Sequence, residues 1–472
     1  MNQETRKKVL LLSYYNNPDE VSVSLEAYGE YEQLRRHFDT TLVTHARNAS
    51  ALRKSGIPDG GVIYINVPIL DRLHDLFLDK VLKYDYGSLK LTAFLVPYYI
   101  VYEFVIWSRL RSEIKAGRFA LVHRLDPVSP VLASPFSWLM RNLKTPFSLG
   151  PINGGLPWPP GYGSASQEKE WIRFLRWLYA YLPFSRSTYT KSKAVIVGSS
   201  YTYLAAGRRV EQNRLFFIQQ NGIPEKDILE SRRYDDMPPV RVCFLGRLVP
   251  LKNCNIVIRS AAALIREKKI QLDIVGDGWD RSNLEALTRD LGLEKDVTFH
   301  GWMPHPQAME ILARSHIMAL PSIREFGGGA VVEAMARGVV PIVVRYGGPS
   351  DLVEEGCGIS LALKNEPDTV QDLERVLGEL VKNPDRIRQL GGAARVKAGS
   401  TFTWEKKTEL LAAVMNHAMG AGPRPALVPN KELLSRYDSM TVRRGLGLFG
   451  RDDVLGCIAS PRNALVVYLA GS

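Results

Sequence analysis

With 472 residues the chain is too long for one compact core, and at about 150 residues per domain its length predicts roughly two or three domains. Hydrophobic residues make up 45% of the sequence and charged residues 23%, which excludes a disordered or fibrous protein. The four cysteines lie far apart without a CxxC spacing, which argues against a disulfide framework and against a thiolate metal site. We therefore expect a globular protein of a reducing compartment, the cytoplasm.

The net charge of +12 is concentrated in the first half of the chain. Residues 1–222 contain 28 basic and 18 acidic side chains, whereas the remainder contains 33 and 31. This asymmetry predicts an anionic partner for the first half: a phosphorylated lipid carrier, an acidic polysaccharide or a membrane surface. A nucleic-acid partner is not expected, because basic and aromatic residues do not alternate as in a single-strand groove and no helix-turn-helix or zinc-finger spacing occurs.

Three apolar stretches bear on membrane association. Residues 9–12 form a run too short for a signal peptide and are predicted to be the first strand. Residues 89–107 are interrupted by Lys90, Pro97 and Glu103, so they are predicted to form a pair of buried core helices and not a membrane span. Both this stretch and residues 171–183 are rich in aromatic side chains. An alternative is therefore that they contact the bilayer interface at the inner face of the cell membrane.

Short apolar runs alternate with amphipathic helical stretches twice along the chain, the pattern of parallel βαβ units. A turn-rich segment separates the two series, and a Gly- and Pro-rich segment at 420–425 follows the second. We predict domains at 1–222 and 240–400, a linker at 223–239, a terminal helix within 401–420 that packs toward the first domain, and an appended tail at 421–472. The predicted strands are 9–13, 41–44, 62–67, 120–125, 147–150, 194–198 and 216–220 in the first domain, and 240–246, 272–276, 297–301, 317–321 and 340–344 in the second. The predicted helices include 26–37, 168–182, 255–267, 281–291, 306–313, 330–337 and 369–381.

A glycine-rich segment between a predicted strand and helix carries the strongest chemical signal. Glu325 and Glu333 lie eight positions apart and bracket Gly327, Gly328 and Gly329. Glycines let the backbone approach a ligand, and a helix N-terminus presents N–H groups to anionic or hydroxyl-rich ligands. The alternative for this segment alone is a glycine-rich turn with one glutamate in solvent and the other pairing locally.

Two cations follow the first strand of the second domain. Arg247 and Lys252 lie near a predicted helix start, where paired positive charges suit a diphosphate. Taken alone, this segment is better explained as a solvated basic loop.

These segments occur in an order that resembles family 4 of the retaining glycosyltransferases. The pattern is Arg247 with Lys252, then Ile-Val-Gly-Asp-Gly at 274–278, Phe-His-Gly-Trp at 299–302, and finally Glu325 and Glu333 followed by Ala-Met-Ala-x-Gly. The similarity covers 240–344 and extends more weakly to about 415. It implies an α/β GT-B fold, in which two Rossmann-like doubly wound domains face each other across a cleft, the second binding a nucleotide-diphosphate sugar and the first an acceptor.

The resemblance also implies the roles of individual residues. Arg247 and Lys252 would bind the donor diphosphate, Glu325 the hydroxyls of the donor sugar, and Glu333 the ribose. The amides of Gly327, Gly328 and Gly329 would lie near the donor, and Gly301 and Trp302 would border the base. No cofactor or metal ion is implied.

Two departures from the family pattern stand out. Phe326 directly follows Glu325 and precedes three glycines, where the family usually has Gly-Phe-Gly, which leaves the identity of the sugar open. The loop after the first strand begins Ser13-Tyr14-Tyr15 where many members have Gly-Gly, which puts part of the diphosphate contact in doubt.

His123 ends a predicted first-domain strand and is therefore a candidate acceptor or donor contact, with a structural role as the alternative. We expect a retaining hexosyltransferase that builds a bacterial polysaccharide or glycolipid on an anionic glycan or lipid-linked acceptor. The rival interpretations are a nucleotide-sugar epimerase or hydrolase on the same scaffold and a non-catalytic membrane adaptor.

Overall fold

The computed structural model describes residues 6–20, 22–77, 89–156, 159, 181–229, 234 and 237–435. The chain divides into two compact units. Unit 1 comprises the described residues up to Gly155, those from 181 to Gln220 and those from Lys407 onward. Unit 2 comprises the described residues from Asn221 to Lys406 together with Leu156 and Pro159. Residues 168–180 of the predicted helix at 168–182 and most of the tail at 421–472 lie outside the described residues.

Unit 1 is built on a seven-stranded sheet in the order β3-β2-β1-β4-β5-β6-β7, in which every pairing is parallel. Its short apolar runs become strands because parallel strands are buried on both faces. The strands are β1 Lys8–Leu12, β2 Asp39–His45, β3 Val62–Ile65, β4 Leu121–Arg124, β5 Phe147–Ile152, β6 Ala194–Val197 and β7 Leu215–Phe217.

The α-helices of unit 1 include one that overturns a sequence prediction. Leu89–Lys115 forms one helix that continues through Pro97, so the predicted pair of helices is wrong. Pro97 is exposed while Tyr98, Tyr99 and Tyr102 are buried, and the burial of these rings offsets the hydrogen bond that proline removes. The α-helices are Val23–His37, Ala49–Lys54, Pro68–Phe77, Leu89–Lys115, Pro135–Leu139, Ser185–Thr190, Ser200–Ala206, Trp404–Ala418 and Lys431–Ser435.

Within the part of the chain that is described, no helix combines the length and the apolar character needed to cross a bilayer.

The helix Trp404–Ala418 completes the core of unit 1. Leu411, Val414 and Met415 are fully buried and share one apolar cluster with the strand residues of β1. Lys407, which is 3% exposed, is 2.7 Å from Glu30. A buried lysine of this kind needs a carboxylate partner, which anchors the helix to Val23–His37.

Unit 2 contains a six-stranded parallel sheet in the order β10-β9-β8-β11-β12-β13. Together the two sheets confirm the predicted pair of doubly wound Rossmann-like domains. The edge strand β13 was not predicted, because its three residues carry too short an apolar pattern to stand out. The strands are β8 Val240–Leu245, β9 Ile270–Val275, β10 Val297–Gly301, β11 Ile317–Leu320, β12 Val340–Val344 and β13 Ile359–Leu361.

Helices connect these strands and bury one apolar core against the sheet. They are Cys254–Arg266, Arg281–Asp290, His305–Arg314, Gly329–Ala336, Gly348–Leu352, Glu366–Lys382 and Pro384–Thr401. The strand order reverses direction between β8 and β11. Ligands of open parallel sheets bind at such a switch point, beyond the carboxyl ends of the strands.

Candidate functional site

The loops that follow β8 and β11 are joined at the switch point of unit 2. The Asn253 side chain donates a hydrogen bond of 2.8 Å to the carbonyl of Pro321, and the Ile323 amide donates one of 3.0 Å to the carbonyl of Leu251. Asn253 has a left-handed backbone (φ 54°), which ends the turn at 250–252 and starts the next helix. These contacts hold residues 247–252 and 321–325 side by side.

Lys252 and Glu325, which are 73 positions apart in sequence, form an ion pair here. Their side chains are 13% and 21% exposed, so the pair is largely shielded from solvent. Burial, and then the positive charge of nearby Arg247, lower the pKa of Lys252. The Glu325 carboxylate acts in the opposite direction and favours the ammonium form.

The arrangement places two cations and one carboxylate at the carboxyl end of β8. Arg247 is exposed, whereas Lys252 is half-buried and already neutralised by Glu325. Two positive groups this close repel each other, so an anion that touches both would be stabilised. The group could therefore hold a diphosphate while Glu325 accepts hydrogen bonds from hydroxyl groups.

Glycines allow the backbone around Glu325 to pack closely. A Cβ atom on Gly347, whose φ is +78°, would lie 2.2 Å from the carbonyl oxygen of Glu325, and the Gly348 amide donates a 3.0 Å hydrogen bond to that oxygen. Gly328 precedes the helix Gly329–Ala336 and also has a positive φ. The predicted glycine run thus lies directly between Glu325 and a helix N-terminus.

Glu333 has a partner that could not be predicted from the sequence. Its Oε1 atom is 2.7 Å from Nε2 of His305, the first residue of the helix His305–Arg314. The hydrogen bond to Glu333 is the main reason that the pKa of His305 is raised. One carboxylate oxygen is therefore held by His305, while the side chain remains 22% exposed.

The loops after β8, β9 and β10 stack on one another through glycines. The Gly276 amide donates a 2.9 Å hydrogen bond to the carbonyl of Gly301, and a Cβ atom on Gly276 would lie 2.0 Å from the carbonyl oxygen of Gly246. Gly301 is buried, whereas the adjacent Trp302 is 77% exposed. Gly301 thus shapes the loop and Trp302 presents a free ring, at the end of an edge strand two strands away from β8.

In unit 1 the corresponding loop after β1 is occupied by a carboxylate of its own chain. Asp126 accepts hydrogen bonds from the amides of Tyr14 (2.8 Å) and Tyr15 (3.1 Å) and from the Ser13 hydroxyl. Burial raises the pKa of Asp126 to about 6. These amides, in the position where many family members have Gly-Gly, are therefore already committed to an internal partner.

His123 is fully buried between β1 and β5. Its Nε2 is 3.0 Å from the carbonyl of Gly150, and its Nδ1 is 2.7 Å from the Ser148 hydroxyl. Because a carbonyl can only accept, Nε2 carries the proton and Nδ1 accepts from Ser148. Burial lowers the pKa of His123 to about 4, so the ring is neutral at pH 7. The role of His123 as a ligand contact stays a prediction.

The structure thus brings Arg247, Lys252 and Glu325 together, puts Glu333 on the adjoining helix, and puts Gly301 and Trp302 two strands away. His123 lies in the other unit. Sequence reasoning missed His305, because its partner is 28 positions away and a histidine at a helix start has no distinctive pattern. It also missed Asn253. The sequence indicates a role for this residue only through the tolerance of asparagine for a left-handed backbone conformation.

The sequence of unit 2 matches a known family. Residues 228–397 match the family model "Glycosyl transferases group 1". D-inositol 3-phosphate glycosyltransferase of Gordonia bronchialis is 31% identical over 189 residues, which are 38% of this chain and 40% of that protein.

A second relative is the GDP-mannose-dependent monoacylated alpha-(1-6)-phosphatidylinositol monomannoside mannosyltransferase of Corynebacterium glutamicum. It is 31% identical over 191 residues, which are 39% of this chain and 48% of that protein. The chain thus matches less than half of the length of these two curated relatives.

Solved structures match over both units. The crystal structure of Anabaena Alr3699/HepE in complex with UDP superposes with a TM-score of 0.54 and 16% identity, covering 87% of this chain and all of that one. At this identity the match is one of fold. The chain therefore has the GT-B fold, and its residues 228–397 are similar to the group 1 glycosyltransferases.

Proposed function

We propose that this protein transfers a sugar from a nucleotide-diphosphate sugar to a hydroxyl group of a glycan or lipid-linked acceptor, with retention at the anomeric carbon. The observation that carries the proposal is the cluster of Arg247, Lys252 and Glu325 at the switch point of a group 1 glycosyltransferase unit. Its charges match a diphosphate next to a polyhydroxylated ring.

In the proposed reaction the bond between the anomeric carbon and the phosphate oxygen breaks, and a bond to the acceptor oxygen forms on the same face. Negative charge develops on the leaving diphosphate, where Arg247 and Lys252 stabilise it. The acceptor proton passes to that phosphate, so the glutamates bind and do not act as nucleophiles. The two cations supply the positive charge, and the proposal needs no metal ion or cofactor.

The remaining residues position the donor. Glu325 accepts hydrogen bonds from the sugar hydroxyls, and Glu333, held by His305, accepts them from the ribose. The amides of Gly327, Gly328 and Gly329 lie beside the sugar and phosphate, and Gly301 and Trp302 border the base. His123 is the proposed site residue of unit 1, and because its ring is buried and both of its nitrogens are bonded to Ser148 and Gly150, we assign it a positioning role and not a direct bond to the ligand.

We further propose that unit 1 binds an anionic or lipid-linked acceptor in bacterial polysaccharide or glycolipid assembly. Support comes from its excess of basic residues and from the matched mannosyltransferase, whose name specifies a phosphatidylinositol glycolipid. Such an acceptor would place the protein at the inner face of the cell membrane, in peripheral contact with anionic lipid.

A transfer assay tests the proposal. The purified protein is incubated with radiolabelled UDP-, GDP- or ADP-sugars and a bacterial lipid or glycan extract, and labelled product and released nucleotide are followed. We expect acceptor-dependent transfer, and severe loss of transfer in folded Arg247→Ala, Lys252→Ala and Glu325→Ala variants. Free sugar released without acceptor would favour a hydrolase, a changed donor sugar would favour an epimerase, and a failure to bind any nucleotide diphosphate would favour an adaptor.

A further inference from the structure

Unit 1 carries an exposed aromatic surface that the proposed reaction does not use. The Phe104 and Phe184 rings are 5.7 Å apart, and Phe184 and Trp138 are 6.1 Å apart. Phe104 and Trp138 are 36% and 44% exposed, and Arg141 lies 4.2 Å above the Trp138 ring. We call this group, together with the exposed basic residues around it, the aromatic-basic surface.

This surface continues along the helix Leu89–Lys115. Val101, Phe104, Ser108, Arg111 and Lys115 are all exposed and follow one another at steps of three and four residues. They therefore form one stripe along the solvent side of the helix. The stripe is apolar at Val101 and Phe104 and basic at Arg111 and Lys115.

The charge around the aromatic rings is almost entirely positive. The three stretches that carry the surface, 104–119, 138–144 and 181–193, are all within the described residues and contain nine basic side chains and one acidic side chain, Glu113, which pairs with Arg118. All nine are exposed: Arg109, Arg111, Lys115, Arg118, Arg141, Lys144, Arg186, Lys191 and Lys193.

A rigid buried layer holds these stretches together. The Ser134 amide donates a 2.8 Å hydrogen bond to the Thr188 hydroxyl, which joins the helices Pro135–Leu139 and Ser185–Thr190. Beneath them Arg124 forms a 3.4 Å ion pair with Glu103, and both side chains are at most 5% exposed. These buried contacts therefore fix the elements that carry the exposed rings.

We infer that the aromatic-basic surface docks unit 1 on an anionic lipid bilayer. Tryptophan and phenylalanine rings partition into the headgroup region, and surrounding arginines and lysines are attracted to anionic lipids. A small soluble anion would use the charges and leave the exposed rings in water, whereas an anionic bilayer accommodates both. The inference rests on the peripheral membrane contact included in the proposed function and not on the transfer reaction.

Vesicle flotation tests the inference without donor or acceptor. The full-length protein is mixed with phosphatidylcholine vesicles, with or without 30% phosphatidylglycerol, at low and high salt. We expect binding to the anionic vesicles only, and weaker binding at high salt because the charges are screened.

Two variants and one control locate the contact. The Arg111→Glu/Lys115→Glu variant should bind anionic vesicles about 30-fold more weakly, at roughly fivefold per basic residue lost. Trp138→Ser should also weaken binding, at either salt concentration. The control Arg289→Glu/Lys295→Glu makes the same change in net charge at exposed residues of unit 2 and should bind like the wild type.

Equal loss in the control, or equal binding to zwitterionic vesicles, would overturn the inference. The inference would also be overturned if the wild type bound a soluble anionic polysaccharide but did not bind vesicles. Because no nucleotide sugar is present, these outcomes are separate from any failure of the proposed transfer reaction.

Discussion

Replacing Glu325 with glutamine should change nucleotide binding and sugar transfer in opposite directions. The Glu325 carboxylate neutralises Lys252, the cation that we assign to the diphosphate. Glutamine keeps the size of the side chain and removes its charge. A nucleoside diphosphate, which has no sugar for Glu325 to bind, should therefore bind more tightly to Glu325→Gln than to the wild type.

The magnitude follows from the geometry. Two unit charges about 4 Å apart interact by roughly 4 kcal/mol at an effective dielectric constant of about 20. The phosphates would lie farther from Glu325 than Lys252 does, and both side chains are partly solvent-screened, so we expect a gain of about 1–2 kcal/mol, or roughly 5- to 30-fold in affinity. Transfer should fall by at least about 100-fold, because the carboxylate that accepts hydrogen bonds from the donor sugar is lost.

Isothermal titration calorimetry with the nucleoside diphosphate and steady-state kinetics with the sugar nucleotide measure the two effects. The matched control is Glu379→Gln, which removes the same charge from an exposed ion pair with Arg375. It should leave both quantities unchanged. Unchanged or weaker binding of the diphosphate to Glu325→Gln would show that this carboxylate does not compete with the phosphates.

Three further changes probe the site and the fold. His305→Ala should raise the KM for the donor about fivefold with less effect on kcat, because Glu333 loses the group that orients it, and His305→Gln should restore part of the loss in initial-rate assays. His123 has a folded pKa near 4, below its ordinary 6.5, so the stability that the neutral ring provides above pH 6.5 decreases as the pH falls toward 4. Urea denaturation measures the difference in the free energy of unfolding between the wild type and His123→Asn. This difference should shrink by about 2 kcal/mol between pH 7 and pH 5, because only the wild type has the ring to protonate. A difference that does not change with pH would contradict a neutral buried ring. Gly276→Ala should destabilise unit 2 by at least about 3 kcal/mol, because its Cβ would collide with backbone, whereas Gly356→Ala, also at positive φ but with open space around it, should cost about 1 kcal/mol in the same measurement.

Features that are determined by a local sequence pattern could be predicted from the sequence. The strands appear as apolar runs because parallel sheets are buried on both faces, and the glycine run beside Glu325 marks a strand end followed by a helix. Lys252 and Glu325 were assigned to one ligand from a family resemblance alone. Their direct contact depends on β8 and β11 being neighbours, a consequence of strand order that no local pattern contains.

Features that depend on tertiary packing could not be predicted. Pro97 predicts a break, yet the burial of the tyrosines around it keeps the helix Leu89–Lys115 continuous. The Tyr14 and Tyr15 amides donate hydrogen bonds to Asp126, which is more than 100 positions away in sequence. In each case the deciding energy comes from contacts that exist only in the folded protein.

Calorimetric titration of UDP, GDP and ADP into the wild type and into an Arg247→Ala/Lys252→Ala variant tests whether these two cations bind a nucleoside diphosphate. We expect at least one of these nucleotides to bind the wild type, and to bind the folded double variant about 100-fold more weakly because both phosphate contacts are lost. Equal affinity for the two proteins, or no binding to the wild type, would contradict the assignment of this site to a nucleotide-diphosphate sugar.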